Sequence, residues 1–295
     1  MISITGKTKL AGLLGDPVNH SLSPIMHNAA YEEMGLDWCY LAMPCKKQYI
    51  EKATKALRYL DCKGLNVTIP HKQEVLKACN KLTKIADEIQ AVNTLIPEKE
   101  NQWIGANTDV EGFLMPLKSH NLIDKSVIII GSGGSARAVV MGLKSLNIKR
   151  LTIVGRNKTS LDTFVKSMKN LLSKSHIPIE GISNKDVNII SYIKEADLII
   201  NATPIGMNNN NIKQENIPLG SQIWESLSNK TILYDLIYTP RPTNWLKIGQ
   251  KKNCFIIDGL DMLVEQGALS ISLWSGFNNV PIKTMKSSAE KHLMV

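Results

Sequence analysis

The chain has 295 residues, 43% of them hydrophobic, and carries 35 Lys and Arg against 26 Asp and Glu, a formal net charge of +9. That length suits two ordinary cores, and no run of about 18 apolar residues marks a membrane span. The lysines are scattered along the chain and aromatics are only 5%, so the excess charge reads as a solvated surface, without the clustered basic and aromatic stripe of a nucleic-acid binder.

The first residues, Met1 to Gly6, lack a basic segment followed by an apolar one, so no secretory signal is expected and a cytoplasmic location is. Five cysteines, Cys39, Cys45, Cys62, Cys79 and Cys254, have no CxxC spacing and read as reduced thiols. His20, His27 and His71 show no metal-ligand spacing, and no metal is expected.

In chain order, residues 10–14 predict a strand. Ser23 and Pro24 then open a helix ending at Gly35, with serine as N-cap and proline in the first turn. Residues 38–43 predict a strand, 49–60 a helix and 64–69 a strand, with another helix from about His71. Residues 91–97 and 102–106 predict a strand pair that closes the sheet of a first α/β domain. A helix over 109–120 leads out of it. Residues 126–130 are a buried strand, four of the five β-branched and apolar, ended by Gly131. Strands at 151–154, 198–201, 232–236 and 255–257, with helical segments between, predict a doubly wound parallel sheet. The asparagine run 208–211 reads as a polar surface loop. Residues 259–276 predict a long helix that leads back into the first domain. The fold class is therefore α/β in two domains: an N-terminal α/β substrate domain, 1–108 plus 260–295, and a Rossmann-type dinucleotide-binding domain, 109–259.

The chemistry concentrates at strand ends. Gly131-Ser132-Gly133-Gly134-Ser135-Ala136 follows a strand and opens a helix, the setting a dinucleotide fingerprint requires. Gly131 permits the tight turn, Gly133 lets the backbone approach a pyrophosphate, and Ala136 allows close helix–strand packing. After the next strand, Gly155-Arg156-Asn157-Lys158 offers no carboxylate for an NAD ribose. Arg156 suits a 2′-phosphate or the face of an adenine, though a solvated surface arginine reads the same. Lys72 and Asp109 each stand at a predicted helix start. A lysine there meets the positive end of the helix dipole, an arrangement suited to a general base, and the aspartate is the complementary charge. Each alone reads equally well as a surface lysine and a helix cap. Asn66, Thr68, Asn93 and Asn107 add amides and hydroxyls at strand ends, where hydroxyl-rich ligands bind. Ser21 and Ser23 suit a helix cap, a carboxylate, or both. His71 reads as supporting structure.

These residues together resemble the shikimate dehydrogenase family, including its quinate/shikimate branch, nearly end to end. The resemblance rests on Ser21-Leu22-Ser23-Pro24, Asn66-Val67-Thr68-Ile69-Pro70-His71-Lys72, Ala91-Val92-Asn93-Thr94 and Gly105-Ala106-Asn107-Thr108-Asp109. In the second half it rests on the glycine-rich loop, Asn201-Ala202-Thr203-Pro204-Ile205-Gly206-Met207, Tyr238-Thr239-Pro240, and Asp258-Gly259 through Gln266-Gly267-Ala268. It implies Lys72 and Asp109 as the catalytic pair at the C3 oxygen of 3-dehydroshikimate. It implies Ser21 and Ser23 for the carboxylate, and Asn66, Thr68, Asn93, Asp109 and Gln266 for the ring hydroxyls. Tyr238 is implied to line the junction where the nicotinamide meets the substrate. The glycine-rich loop, Arg156, Lys158, Thr203 and Gly259 are implied to hold NADP, with NAD open. The implied role is an NADP-dependent alcohol dehydrogenase of aromatic amino acid (chorismate) biosynthesis, and the resemblance allows a homodimer.

Two departures bear on the branch. NADP-type members carry Asn-Arg-Thr-x-x-Arg after the second strand, whereas here Ser160 replaces the second arginine. The stretch 156–197 is long for the compact NADP-specific enzymes. A quinate/shikimate dehydrogenase using NAD or NADP is the alternative. A non-catalytic dinucleotide or metabolite sensor is the remote one, set aside because Lys72 and Asp109 are both kept.

Overall fold

A computed structural model describes residues 4–207 and 216–294; the asparagine run 208–211 and the first three residues lie outside the described residues. The chain forms two compact units, one of Met1–Phe113 with Leu263–Val295, the other of Leu114–Met262. No helix among the described residues is long and apolar enough to cross a membrane.

The first unit begins with β1 (Lys9–Gly15), α1 (Ser23–Glu33), β2 (Trp38–Pro44), α2 (Ile50–Tyr59) and β3 (Gly64–Val67). It continues with β4 (Lys81–Leu82), α3 (Lys84–Ile89), β5 (Thr94–Glu98), β6 (Gln102–Ala106) and α4 (Asp109–Leu114). The strand order is β2-β1-β3-β5-β6-β4. Helical crossovers make β1 parallel to β2 and β3, while the short link between β5 and β6 makes an antiparallel hairpin. Leu14, Leu65, Val67, Val92, Leu95 and Trp103 form part of the buried core on this sheet.

Several sequence expectations shift here. Leu22, not Ser23, occupies the N-cap of α1, with no side-chain cap bond; Ser23 is already helical, and the Ser21 hydroxyl accepts the Ser23 N–H at 3.2 Å. The helix expected from His71 is a five-residue 3-10 helix, Glu74–Ala78, and Lys72 lies in the turn before it. So short a helix has little dipole to offer, and the argument for Lys72 from a helix start falls. The helix from Asp109 stops at Leu114, where Pro116 forces a 3-10 turn, Met115–Leu117. The strand expected from residue 91 starts only at Thr94.

The second unit contains β7 (Ser126–Ile130), α5 (Gly134–Lys144), β8 (Arg150–Gly155), α6 (Lys158–Leu172), β9 (Ile179–Ser183) and α7 (Ile189–Glu195). It ends with β10 (Leu198–Asn201), β11 (Ile232–Asp235), α8 (Asn244–Lys251) and β12 (Phe255–Ile257). All six strands are parallel in the order β12-β11-β10-β7-β8-β9. That is the doubly wound arrangement, with its topological switch between β7 and β10. α6, β9 and α7 together account for most of the stretch 156–197, and β9 was not read from the sequence.

The chain returns to the first unit within α9 (Leu260–Ser275) and ends with α10 (Ile282–Leu293). Trp274 fixes α9 to the sheet: its indole N–H donates to Leu95 O at 3.0 Å, and its ring lies where a Cβ on Gly64 would sit, 2.2 Å away. Only glycine at the start of β3 leaves room for that ring.

His27 of α1 is fully buried, stacked on Tyr40 with ring centroids 4.0 Å apart. Its Nδ1 pairs with Ser23 O at 2.8 Å, and its Nε2 has no hydrogen-bond partner among the described residues. Burial lowers its pKa to about 4, against the hydrogen bond to Ser23 O, which raises it. Between that value and about 6.5 the unfolded chain takes up a proton that the folded one refuses, so acidification costs stability there. The stability advantage of the wild type over His27→Gln, read from urea midpoints, is expected to shrink from pH 7 to pH 5. An advantage that stays constant over that range would overturn the assignment.

Candidate active site

In the first unit the candidate side chains converge at the ends of β3 and β6 and the start of β5. After β3 the chain passes a cis Ile69–Pro70 bond and a turn in which His71 N–H donates to Thr68 O at 2.9 Å. His71 is buried, with Nε2 on Cys45 O, so it braces the turn. Lys72 O accepts the Val92 N–H at 2.8 Å, which sets Lys72 beside the strand that carries Asn93. On the other side, Asn107 Oδ1 accepts the Asp109 N–H at 3.0 Å, the first N–H of α4, while its Nδ2 donates to Ala91 O at 3.0 Å.

These two turns bring Lys72 Nζ to 2.7 Å from Asp109 Oδ2, with side chains only 12% and 7% exposed. The carboxylate's other oxygen is also held: Asn93 Nδ2 donates to Oδ1 at 2.9 Å. Removing one partner from such a secluded pair costs about 3–5 kcal/mol, because the other charge is left uncompensated. Asn93 is fixed in turn, because its Oδ1 accepts the Thr108 N–H at 2.8 Å and the Thr94 hydroxyl at 3.0 Å. The same Nδ2 lies 3.3 Å from Gln266 Oε1, which joins α9 to the cluster.

Asn66 extends this network. Its Nδ2 donates to Asn93 O, Thr94 Oγ1 and Ser270 Oγ, at 3.2, 3.2 and 2.9 Å. Its Oδ1 accepts the Tyr40 hydroxyl at 2.8 Å. Tyr40, fully buried, is also within hydrogen-bonding reach of the Ser23 side chain, and burial raises its phenol well above the usual range. A continuous polar chain thus runs from Ser23 through Tyr40, Asn66 and Asn93 to Asp109 and Lys72. The Thr68 hydroxyl, half-buried, makes no hydrogen bond within the described residues.

Tyr40, Thr94, Thr108 and Ser270 were not singled out as site residues from the sequence. Asn66 and Thr94 face each other across β3 and β5, and Ser270 enters from 204 positions away from Asn66. Only spatial pairing discloses such partners. A hydroxyl one helical turn beyond Gln266, on the same face of α9, was the one available hint.

The second unit presents its own cluster at the strand ends beside the topological switch. Gly131 has φ +111°, which glycine adopts without strain, and a Cβ there would meet the Thr203 methyl at 2.9 Å. Gly133, extended, caps α5, and a Cβ on it would meet nothing within 4 Å, so the backbone is open to a close ligand. Gly134 and Ser135 begin the helix, and Ala136 is fully buried against the sheet. That open helix N-terminus with a glycine cap fits a pyrophosphate. Arg156 follows β8 and is exposed, and Lys158 opens α6, whose cap is Asn157, with Oδ1 accepting the Ser160 N–H at 2.9 Å. Gly259 leaves no room for a side chain: a Cβ would lie 2.1 Å from Leu236 O, and its N–H donates to Ile237 O at 3.0 Å. Tyr238, half-buried, and Gly259 belong to this second unit, whereas Gln266 belongs to the first.

The family model for the shikimate dehydrogenase substrate binding domain matches residues 13–95, and that for the shikimate 5′-dehydrogenase C-terminal domain matches residues 259–290. The shikimate dehydrogenase (NADP(+)) of Prochlorococcus marinus strain MIT 9312 is 47% identical over 290 residues, which cover 98% of this chain and 100% of that protein. A crystal structure of a shikimate dehydrogenase in complex with NADP+ superposes with a TM-score of 0.86 at 36% identity, covering 99% of this chain and 98% of the other. The shikimate 5-dehydrogenase of Thermus thermophilus, in complex with NADP(H) and shikimate, gives a TM-score of 0.80 at 28% identity, covering 96% of this chain and 99% of the other.

Proposed function

The chain belongs to the shikimate dehydrogenase family, and we propose that it reversibly reduces 3-dehydroshikimate to shikimate with NADP. The observation that carries the reading is the secluded Lys72–Asp109 pair at 2.7 Å, clamped by Asn93. Lys72 has a proton to give at the substrate's C3 oxygen, and takes one back in the reverse direction. Asp109 and Asn93 hold the ammonium in place. NADP(H), when bound, supplies or accepts the hydride. Ser21 and Ser23 take the substrate carboxylate. The unbonded Thr68 hydroxyl, the remaining lone pair of Asn66 Oδ1, and Asn93, Asp109 and Gln266 take ring hydroxyls. Tyr238 borders the nicotinamide end.

The loop Gly131–Ala136, with Thr203 and Gly259, holds the cofactor backbone, and Arg156 with Lys158 takes the 2′-phosphate. Five free cysteines suit a reducing compartment and support a cytoplasmic enzyme. β2 is an edge strand with Leu41 half exposed, which supports a second copy of the chain as partner; a single monomer mass on sedimentation would overturn that.

Exposed Arg156 without a second arginine at Ser160 keeps the dual-cofactor quinate/shikimate reading as the alternative. A pocket that hydrogen-bonds one polyol does not strongly reject another that adds a hydroxyl. Initial rates with shikimate and quinate, each with NADP and NAD, decide between them. The proposed function predicts the highest kcat/KM for shikimate with NADP, and comparable values for quinate or NAD would favour the alternative. Lys72→Ala is expected to lower kcat by about 10²- to 10⁴-fold while shikimate binding changes far less. Intact turnover in that variant would overturn the catalytic role of Lys72.

A further inference from the structure

Asp235 closes β11 and Asn201 closes the neighbouring β10, at paired register positions, and both are fully buried. Neither belongs to the glycine-rich loop or to the Lys72–Asp109 cluster. Asp235 Oδ1 accepts from Asn201 Nδ2 at 3.0 Å and from the Ile237 N–H at 3.1 Å, and Oδ2 accepts the Thr243 hydroxyl at 2.8 Å. A carboxylate offers acceptors only, so Asn201 must turn its NH2 towards it and its carbonyl away. That carbonyl accepts both the N–H and the O–H of Thr203, at 3.1 and 2.7 Å. The same NH2 also donates to Ile205 O at 3.0 Å. A flipped amide would set two donors against the Thr203 N–H and abandon three good bonds. Thr203 is the residue whose methyl lies against Gly131, and Ile237 is the residue whose carbonyl takes the Gly259 N–H.

We propose that Asp235 is a positioning residue of the cofactor site. It dictates the orientation of the Asn201 amide, which presents Thr203 beside the first glycine of the phosphate loop, and it fixes the Ile237 backbone from which Tyr238 and Gly259 take their places. The inference rests on the reading that this loop holds NADP.

What Asp235 must supply is an acceptor at Oδ1; a charge is not required. Burial pushes its carboxyl up to about 7, with Asp258, itself paired to Arg241 at 2.6 Å, the charged neighbour that adds to the rise. The protonated group keeps Oδ1 as acceptor and only reverses the bond to Thr243, whose hydroxyl accepts as readily as it donates. An asparagine does the same. An alanine removes one of the bonds that hold the Asn201 amide in that sense, and with it the acceptor of the Ile237 N–H.

The test is titration of NADPH into the full-length wild type, Asp235→Ala, Asp235→Asn and Thr203→Val, with KM for NADP and for shikimate measured alongside. Asp235→Ala and Thr203→Val are expected to weaken NADPH binding by about tenfold or more, as loss of an oriented hydrogen-bonding group does. Shikimate KM stays within about twofold, and Asp235→Asn stays close to wild type at every pH from 6 to 8, since the acceptor survives protonation. A merely structural role would lower the folded fraction without separating the two KM values. Wild-type affinity in Asp235→Ala or Thr203→Val, or equal losses in the alanine and asparagine variants, would overturn the proposal. Should the alanine variant not fold, the asparagine and valine variants decide it by the same criteria. Wild-type protein that binds no NADPH overturns the cofactor reading itself, whereas failure confined to the variants overturns only the role of Asp235.

Discussion

Burying a lysine and an aspartate side by side is tolerable only if each charge is answered at every polar atom, and the first unit is organised around meeting that demand. Lys72 neutralises one oxygen of Asp109 and Asn93 holds the other. Asn93 would cost more than it contributed if its own carbonyl were idle, so Thr94 and Thr108 occupy it. The requirement propagates outward through Asn66 to Ser270 on α9 and Tyr40 on β2. A buried ion pair therefore enlists residues from distant strands and helices, because in a low-dielectric setting a half-satisfied polar network is worse than none.

The sheet supports this by its mixed direction. Parallel β1 and β3 deliver their C-terminal ends, with Asn66 and the turn to Lys72, to one edge of the layer. The antiparallel return through β5 and β6 brings the start of β5 and the end of β6, hence Asn93 and Asp109, to that same edge. An all-parallel sheet would have sent Asn93 to the opposite end. Gly64 then admits Trp274, which seats α9 so that Gln266 and Ser270 reach the cluster.

The second unit meets a different constraint. Under the proposed function its loops must stay open for a long anionic cofactor and still hold their shape. Glycines supply the openness at Gly131 and Gly133, and buried hydrogen bonds from Asp235 and Asn201 supply the shape. The two devices belong together, since a backbone freed by glycine is ordered only by what surrounds it.

The second sheet was almost fully legible in the sequence, because buried parallel strands are continuous runs of β-branched residues: residues 126–130 and 198–201 match β7 and β10 to the residue. β9 escaped because Glu180 and Gly181 interrupt its apolar run, and α10 because its apolar residues are few among Lys and Ser. Local chemistry also named Lys72, Asp109, Asn93 and the glycine-rich loop as candidates, since motif spacing carries residue identity. It misjudged one part of how Lys72 is held: the expected helix dipole is absent, whereas the Asp109 carboxylate 37 positions away, expected as the complementary charge, does pair with it. Hydrogen-bond partners such as Tyr40, Thr94, Ser270 and Asp235 were decided by tertiary structure alone. A sequence displays its periodicities and its short-range turns, but which buried polar atom answers which is settled only when distant strands come into register.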